Sequence, residues 1–303
     1  KLTHQNGKSL LQNLPLGGFG ISRYKLDKIL ADKAIKDKVK IIHDEVLDVS
    51  FSKNSFNIKA KDHQFKAEFV ISAHGKRSNL DKSLGRKFIK EKTPWIGIKA
   101  HYKTKTFDDT LVELHNFHGG YCGLSMVEND QINLCYLVHY KAFKKFKSID
   151  KFNQYGLSQN PYLKSFLSQS ETAFEKPLSI SQISFQNKPT VKNNILFAGD
   201  SAGLIHPLCG NGMAMAIHSA KLVSEALVNF FKNETQTRHS VENDYQRQWQ
   251  KHFKKRLFFG KVIQEILLKP DLSSKLISML SRSPFLLKHL IKQTHGKPLD
   301  SCS

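Results

Sequence analysis

Cysteine is scarce in this 303-residue chain: Cys122, Cys135, Cys209 and Cys302 are the only four, with no C-x-x-C pair. That is too thin for a disulfide framework and favours a reducing compartment. Acidic residues are also in short supply, 26 Asp and Glu against 47 Lys and Arg, for a formal charge of +21. A surplus of that size suits nucleic acid, an anionic membrane surface, or only a basic proteome. Zinc-ligand spacing and an aromatic RNA-binding signature are both missing, so nucleic acid is not expected as a partner. No apolar run approaches the roughly 18–20 residues of a membrane span, and the N-terminus lacks the apolar stretch of a signal peptide. The expectation is a cytoplasmic protein, with peripheral contact to the inner face of a membrane left open. Internal repeats, low-complexity tracts, a Ser/His/Asp triad and a Walker loop are absent as well.

What is present allows about two domains and a sizeable core. A hydrophobic share of 40% suits an ordinary globular protein. Lys1 to Leu16 reads as an extended crossover arm with a turn at Asn6-Gly7. Ser22 is placed to cap a helix from Arg23 to about Ala34, with Leu26, Ile29, Leu30 and Ala34 on one stripe. Short strands are expected over 39–42, 46–51, 55–60 and 64–73, broken at Asp44-Glu45, Lys53-Asn54 and Asp62-His63. From Trp95 to Ser184, segments 96–103, 111–117, 120–127 and 132–139 are separated by turn signals such as His118-Gly119-Gly120 and Asn129-Asp130. That pattern predicts an antiparallel sheet whose last strand lies near 179–185. The basic run Lys141 to Lys147 reads as a solvated helix face. Arg238 to Thr294 is predominantly helical, either a cap packed on the body or the lining of a lipid-facing entrance.

The chain is organised around the stretch from Asn193 to Ile217. Ile195 to Ala198 is a short apolar run ending in Gly199-Asp200; a loop with Pro207, Gly210 and Gly212 follows, and then an Ala- and Met-rich helical pattern running to about Asn233. The order Gly199-Asp200-Ser201-Ala202-Gly203, Pro207, Gly210-Asn211-Gly212 and a small-residue helix resembles the second FAD-binding motif of the flavoprotein monooxygenase and geranylgeranyl-reductase superfamily. For a flavin each part has a use. A carboxylate at a strand's carboxyl end accepts hydrogen bonds from ribityl hydroxyls, glycines let backbone N–H groups approach a flat ring, and the helix points its positive end at the ring edge where charge collects on reduction.

Two further blocks carry the same resemblance. Residues Ile21 to Leu30 resemble the superfamily's Arg-x-x-Leu-Asp-x-x-Leu helix, in which the arginine sits beside FAD. Phe69 to Leu80 resemble a hydrophobic strand followed by Ala-Asp-Gly-x-x-Ser-x-Val-Arg, a turn near the pyrophosphate implicated in nicotinamide handling. Here His74 stands where Asp is usual, which puts docking of NAD(P)H in doubt; without the resemblance His74 is a turn residue. The resemblance implies cofactor contacts at Arg23, Val46 (through its backbone), Gly199, Asp200, Gly210, Asn211, Gly212 and Met213. FAD is the implied cofactor and NAD(P)H the implied electron donor. Gly17-Gly18-Phe19-Gly20 follows Leu16 rather than a Val/Ile strand and fails the context of a G-x-G-x-x-G turn, so an N-terminal βαβ piece of at least roughly 30 residues is expected to be missing.

The expected fold class is α/β: an FAD/NAD(P)-binding, glutathione-reductase-type Rossmann-like domain, N-terminally incomplete, with an antiparallel β substrate domain and C-terminal helices. The expected boundaries are 1–92 and 191–234 for the two parts of the FAD-binding domain, 93–190 for the substrate domain and 235–303 for the helical region. The substrate would be a small apolar, isoprenoid-type molecule whose C=C bond is reduced. An aromatic hydroxylase is the first alternative, and a non-enzymatic, basic, membrane-associated protein with a vestigial flavin fold the second. Tyr121 and His206 are the catalytic candidates, each with a structural reading beside it: a buried strand tyrosine and an ordinary loop histidine. Related reductases carry Tyr-x-Trp-x-Phe-Pro and halogenases Trp-x-Trp-x-Ile-Pro near Tyr121; Gly123 replaces the second aromatic and no proline follows, which leaves space for a larger or flatter substrate and argues against a halogenase and against a prenyl substrate alike. Cys209 has no activating base and is not expected to be a nucleophile. No metal site is expected.

Overall fold

The computed structural model describes residues 1–14, 17–207 and 210–295; the readings placed on Leu16, Cys209 and Cys302 lie outside them. Two compact units divide the chain. One comprises Lys1–Ile41, Thr93–Ile183 and Val262–Lys292, the other Ile42–Lys92, Ser184–Lys261 and 293–295.

The first unit is built on a mixed sheet with an antiparallel centre. Strands Trp95–Lys103, Ile132–His139, Gly120–Met126 and Val112–Phe117 lie side by side in that order, each antiparallel to the next. Alternation explains the layer they cover: Ile132, Leu134, Tyr136 and Val138 share one face and are at most 1% exposed. Phe152 fills that face, with ring centroids of Phe117, Tyr136, Phe143 and Phe146 at 5.2–5.7 Å. The turns fall where the sequence signals them. Asn129 and Asp130 both take positive φ, and Gly119 has φ 81° with its missing Cβ directed at the Ala142 methyl, 2.5 Å away. The final strand is Leu178–Ser181, paired to 95–103.

Residues 1–14 are not a simple crossover arm. Leu2–Thr3 pairs antiparallel with Ser9–Leu10 and parallel with strand 112–117, extending the sheet. A buried polar chain fixes this register: the Thr3 hydroxyl meets His115 Nδ1 at 2.8 Å, His115 Nε2 meets Glu113 at 3.0 Å, and Asn160 Nδ2 donates to Thr3 at 2.9 Å. The helix after Ser22 spans Arg23–Lys36, and the Ser22 hydroxyl accepts from the Lys25 N–H as the cap requires. Its apolar stripe, however, buries nothing among the described residues; Ile29, Leu30 and Ile35 stay about half exposed.

In the second unit, strands Val46–Ser52, Ser55–Ala60 and Gln64–Ala67 form an antiparallel meander. Its first turn is Lys53-Asn54, both at positive φ. A separate three-stranded sheet sets Ile195–Phe197 between Val191–Lys192, antiparallel, and Ile71–Ser72, parallel. The strand expected over 64–73 is therefore two strands in two sheets, because 64–67 pairs back onto its hairpin partner while 71–72 crosses to a strand far along the chain. Residues 39–42 form no strand.

Ile195, Leu196 and Phe197 are fully buried, packed against Met215, Val223 and Ala226 of helix Gly212–Lys232 and Val241, Tyr245, Trp249 and Phe253 of helix Arg238–Leu267. Helices Pro270–Arg282 and Pro284–His295 complete the predominantly helical C-terminal stretch. The units are thus cut differently from the sequence-drawn domains. Residues 1–41 join the middle sheet through strand 2–3, residues 184–190 go with the second unit, and the helical region is shared between the two. No helix among the described residues is long and apolar enough to cross a membrane.

Candidate functional site

Strands 71–72 and 195–197 run parallel, so their carboxyl ends fall at the same edge, where open α/β sheets carry ligand loops. Two turns leave that edge, 73–78 and 199–203. Gly199 takes φ 64°, a left-handed conformation that costs a residue with a Cβ about 1–2 kcal/mol, and its N–H donates to the Ser219 hydroxyl at 2.6 Å. The chain then makes a tight 3-10 turn over Gly199–Ser201. The Ser201 hydroxyl is fully buried, 2.7 Å from the Ser72 carbonyl and 2.6 Å from that of Ala198, and ties the two parallel strands together just past their ends.

A buried ionic network supports this edge. Arg86, 1% exposed, donates to Asp81 at 2.9 Å, to the Pro189 carbonyl at 3.1 Å and to the Ser201 carbonyl at 2.8 Å, with its guanidinium 4.0 Å from the Phe197 ring centroid. Asp81 also accepts from the Ser78 N–H at 2.8 Å and from His74 Nε2 at 3.1 Å, while the Ser72 hydroxyl meets His74 Nδ1 at 2.7 Å. These partners assign His74 a proton on Nε2. Burial pushes the Asp81 pKa up, but the hydrogen bond and charge of His74, helped by Ser78 and Arg86, outweigh it and hold the carboxyl below its ordinary value. Lys188, 7% exposed, donates to the carbonyls of Lys76 at 2.8 Å and Asp200 at 2.9 Å.

The loop after the turn carries Leu204, Ile205 and His206 inward. The His206 ring stacks on Phe185 with centroids 4.0 Å apart and planes 18° off parallel. Gly210 has φ 66°, Asn211 precedes the helix in a non-helical conformation, and Gly212 and Met213 open 21 residues of helix. The first turn of such a helix presents backbone N–H groups that have no partner within the helix, with the positive dipole end behind them.

The residues at this edge fit a flavin dinucleotide. A Cβ added at Gly75 or at Gly210 would meet nothing within 4 Å, so no neighbouring group blocks an approach to either backbone. Donor chemistry agrees, with helix-terminal N–H groups for an anionic ring edge and one carboxylate, Asp200, at the strand end for hydroxyls. Of the expected site residues, the second unit brings together Gly199, Asp200, His206, Gly210, Asn211, Gly212 and Met213. Val46 opens strand 46–52 in the same unit and is exposed. Arg23 and Tyr121 belong to the first unit. Arg23 is exposed and pairs with Asp27 of its own helix at 3.1 Å. Tyr121 is buried, its hydroxyl donating to Gln264 at 3.2 Å.

Asp81, Arg86 and Lys188 went unnoticed in the sequence. A signal for Asp81 was there: counting from Ala73 along the Ala-Asp-Gly-x-x-Ser-x-Val-Arg pattern that the chain resembles puts Asp81 at the place of the terminal Arg, as His74 stands at the place of the Asp. The 3.1 Å contact between His74 and Asp81 brings these two departures from the pattern together.

Parallel strands ending in a Gly-Asp turn, a glycine loop and a small-residue helix define an FAD/NAD(P)-binding, Rossmann-like protein, here with an antiparallel sheet and C-terminal helices. The family described as "FAD binding domain" matches residues 21–249, and the chain belongs to it. It is similar to conditioned medium factor receptor 1 of Dictyostelium discoideum, 26% identical over 62% of this chain and 37% of that protein. It is also similar to a digeranylgeranylglycerophospholipid reductase of Methanococcus vannielii, 22% identical over 95% of this chain and 78% of the reductase. The flavin-dependent brominase Bmp2 shares the fold with a TM-score of 0.72 at 18% identity, over 91% of this chain and 70% of the brominase. The chain thus spans little more than a third of the receptor it matches.

Proposed function

We propose that this chain acts as an FAD-dependent oxidoreductase that reduces a C=C bond in an apolar, isoprenoid-type substrate, with NAD(P)H as electron donor. The observation that carries the reading is the Gly199–Ser201 turn at the carboxyl edge of the 71–72/195–197 pair, followed by the helix from Gly212. Bound FAD would supply the hydride chemistry. The chain's own residues bind and orient it: Asp200 for hydroxyls of the flavin's side chain, Gly210 and Asn211 through backbone contacts along the ring, and the start of the 212–232 helix for the ring's negative edge. Saturating a C=C bond also needs a proton on the second carbon, and His206, held flat against Phe185, is the candidate to hold it.

The choice of an isoprenoid substrate is supported by the archaeal reductase, which matches 95% of this chain. Gly123 stands where the reductase and halogenase patterns both carry a tryptophan, so it speaks against a halogenase and does not favour an isoprenoid. A Cβ there would meet only the carbonyls of Cys135 and Glu113, at 3.8 and 3.9 Å, so crowding does not impose the glycine.

The test is flavin uptake by the full-length protein, with Asp200→Ala as the probe. The expected result is a yellow protein whose FAD affinity falls at least about tenfold in the variant, the worth of a charged hydrogen bond. A colourless protein that takes up no FAD overturns the reading; unchanged affinity in the variant removes Asp200 from the site. Substrate-dependent oxygen consumption would replace the reductase by a hydroxylase.

A further inference from the structure

Lys188 lies in an unusual place for a lysine. It immediately precedes Pro189 and is nearly fully buried, where lysines seldom occur unless paired. Its two carbonyl partners, on Lys76 and Asp200, sit in the two turns that leave the neighbouring parallel strands 71–72 and 195–197. The ammonium also lies 4.3 Å from the Phe88 ring centroid, a cation–π contact. Ladder hydrogen bonds end where the strands end, so beyond that point side chains must set the separation of the turns. Ser201 does so through its hydroxyl, and Arg86 through the Ser201 carbonyl. Lys188 takes the adjacent carbonyl, that of the residue whose carboxylate is assigned to the cofactor. Two buried cations thus grip consecutive carbonyls of one turn.

We propose that Lys188 is a positioning residue: its ammonium locks the 199–201 turn to the 74–78 turn and thereby aims the Asp200 carboxylate. The clamp is a property of the chain, while its link to FAD rests on the reading above. The groups facing Lys188 oppose one another. Burial, then Arg86 and Lys76, drive its proton off, whereas Asp81 and Asp200 retain it, and the pKa falls to about 8. The clamp is therefore charged below that pH and neutral above it. Global stability runs the other way. A lysine whose folded pKa lies below its unfolded one destabilises the fold when protonated, so its contribution improves as pH rises through about 8. Weakened cofactor binding on the alkaline side would then report the clamp and not unfolding.

The experiment compares the full-length wild type with Lys188→Met and Lys188→Arg by two measurements: amide hydrogen exchange over 199–203 without cofactor, and FAD affinity from well below to well above pH 8. Expected are faster exchange in Lys188→Met, an affinity about tenfold weaker at low pH, and a wild-type affinity that declines through about pH 8. The inflection should vanish in Lys188→Met, and Lys188→Arg should keep the affinity without the inflection. Wild-type exchange and affinity in Lys188→Met overturn the proposal. Should Lys188→Met not fold, an inflection that persists in Lys188→Arg overturns it equally. If the wild type binds no FAD, the flavin reading falls while the exchange measurement still decides the clamp.

Discussion

Arg86→Met tests whether the edge of the 195–197 sheet is held by charge. Methionine keeps the length and much of the contact with Phe197 but removes hydrogen bonds to Asp81, Pro189 and Ser201. Both members of the Asp81–Arg86 pair are fully buried, so the substitution strands a carboxylate that water cannot reach, leaving it His74 and the Ser78 N–H. Breaking a buried pair from one side costs about 3–5 kcal/mol, and this pair has no solvent route to relieve it. The chain has two tryptophans. In a Trp95→Phe background Trp249 becomes the sole reporter, packed on Phe253 with centroids 5.3 Å apart in the core of the same unit. Urea unfolding followed by its emission should show a loss of about 3–5 kcal/mol. Adding Asp81→Asn should recover part of it, with a coupling of about 1 kcal/mol or more. A single variant within about 0.5 kcal/mol of wild type, or an additive double variant, would refute the reasoning.

Gly199→Ala must place a methyl at φ 64° and 3.4 Å from the Ala216 Cβ, and should lose about 1–2 kcal/mol in a thermal-unfolding assay, whereas Gly210→Ala meets the backbone strain but no neighbour and should lose less. In the first unit, burial raises the Glu113 pKa but hydrogen bonds from His115 and Lys1 outweigh it and bring it down to about 2 from 4.5. This contribution is complete above the unfolded value and is lost as pH falls toward about 2, so Glu113→Gln should flatten the acid limb of a stability–pH curve in that window. Tyr121→Phe removes the hydroxyl that reaches Gln264 and should cost about 1 kcal/mol of stability. A large fall in turnover at unchanged stability would instead make Tyr121 a catalytic residue.

Local chemistry was legible in the sequence. Strands 55–60 and 132–139 fall where the turn signals bound them, and Lys53-Asn54 and Asn129-Asp130 turn the chain with positive φ at both residues of each pair. The Gly-Asp turn and the helix behind it were equally plain, because every signal for them is contiguous. Two kinds of feature were not legible. Strand 71–72 pairs in parallel with a strand far along the chain, and nothing in its neighbours announces that partner. The Asp81–Arg86–Lys188 network is likewise assembled from distant segments, and a buried lysine or arginine has the same letter as a solvated one. The stripe on helix 23–36 shows the converse: an amphipathic pattern states what a helix can bury, and not that the residues at hand bury it.

The pairing of 71–72 with 195–197 also dictates an order of assembly. On the ribosome, the four strands between 95 and 139 emerge close together, each with a partner inside that stretch, and can pair early. The stretch before it must wait, its strand unmatched, until synthesis has passed the Gly-Asp turn and the helices that seal Phe197 have followed. If the flavin lies where we propose, its capture is a late event in the life of each molecule, since a newborn chain halted before the 212–232 helix lacks the segment assigned to the ring.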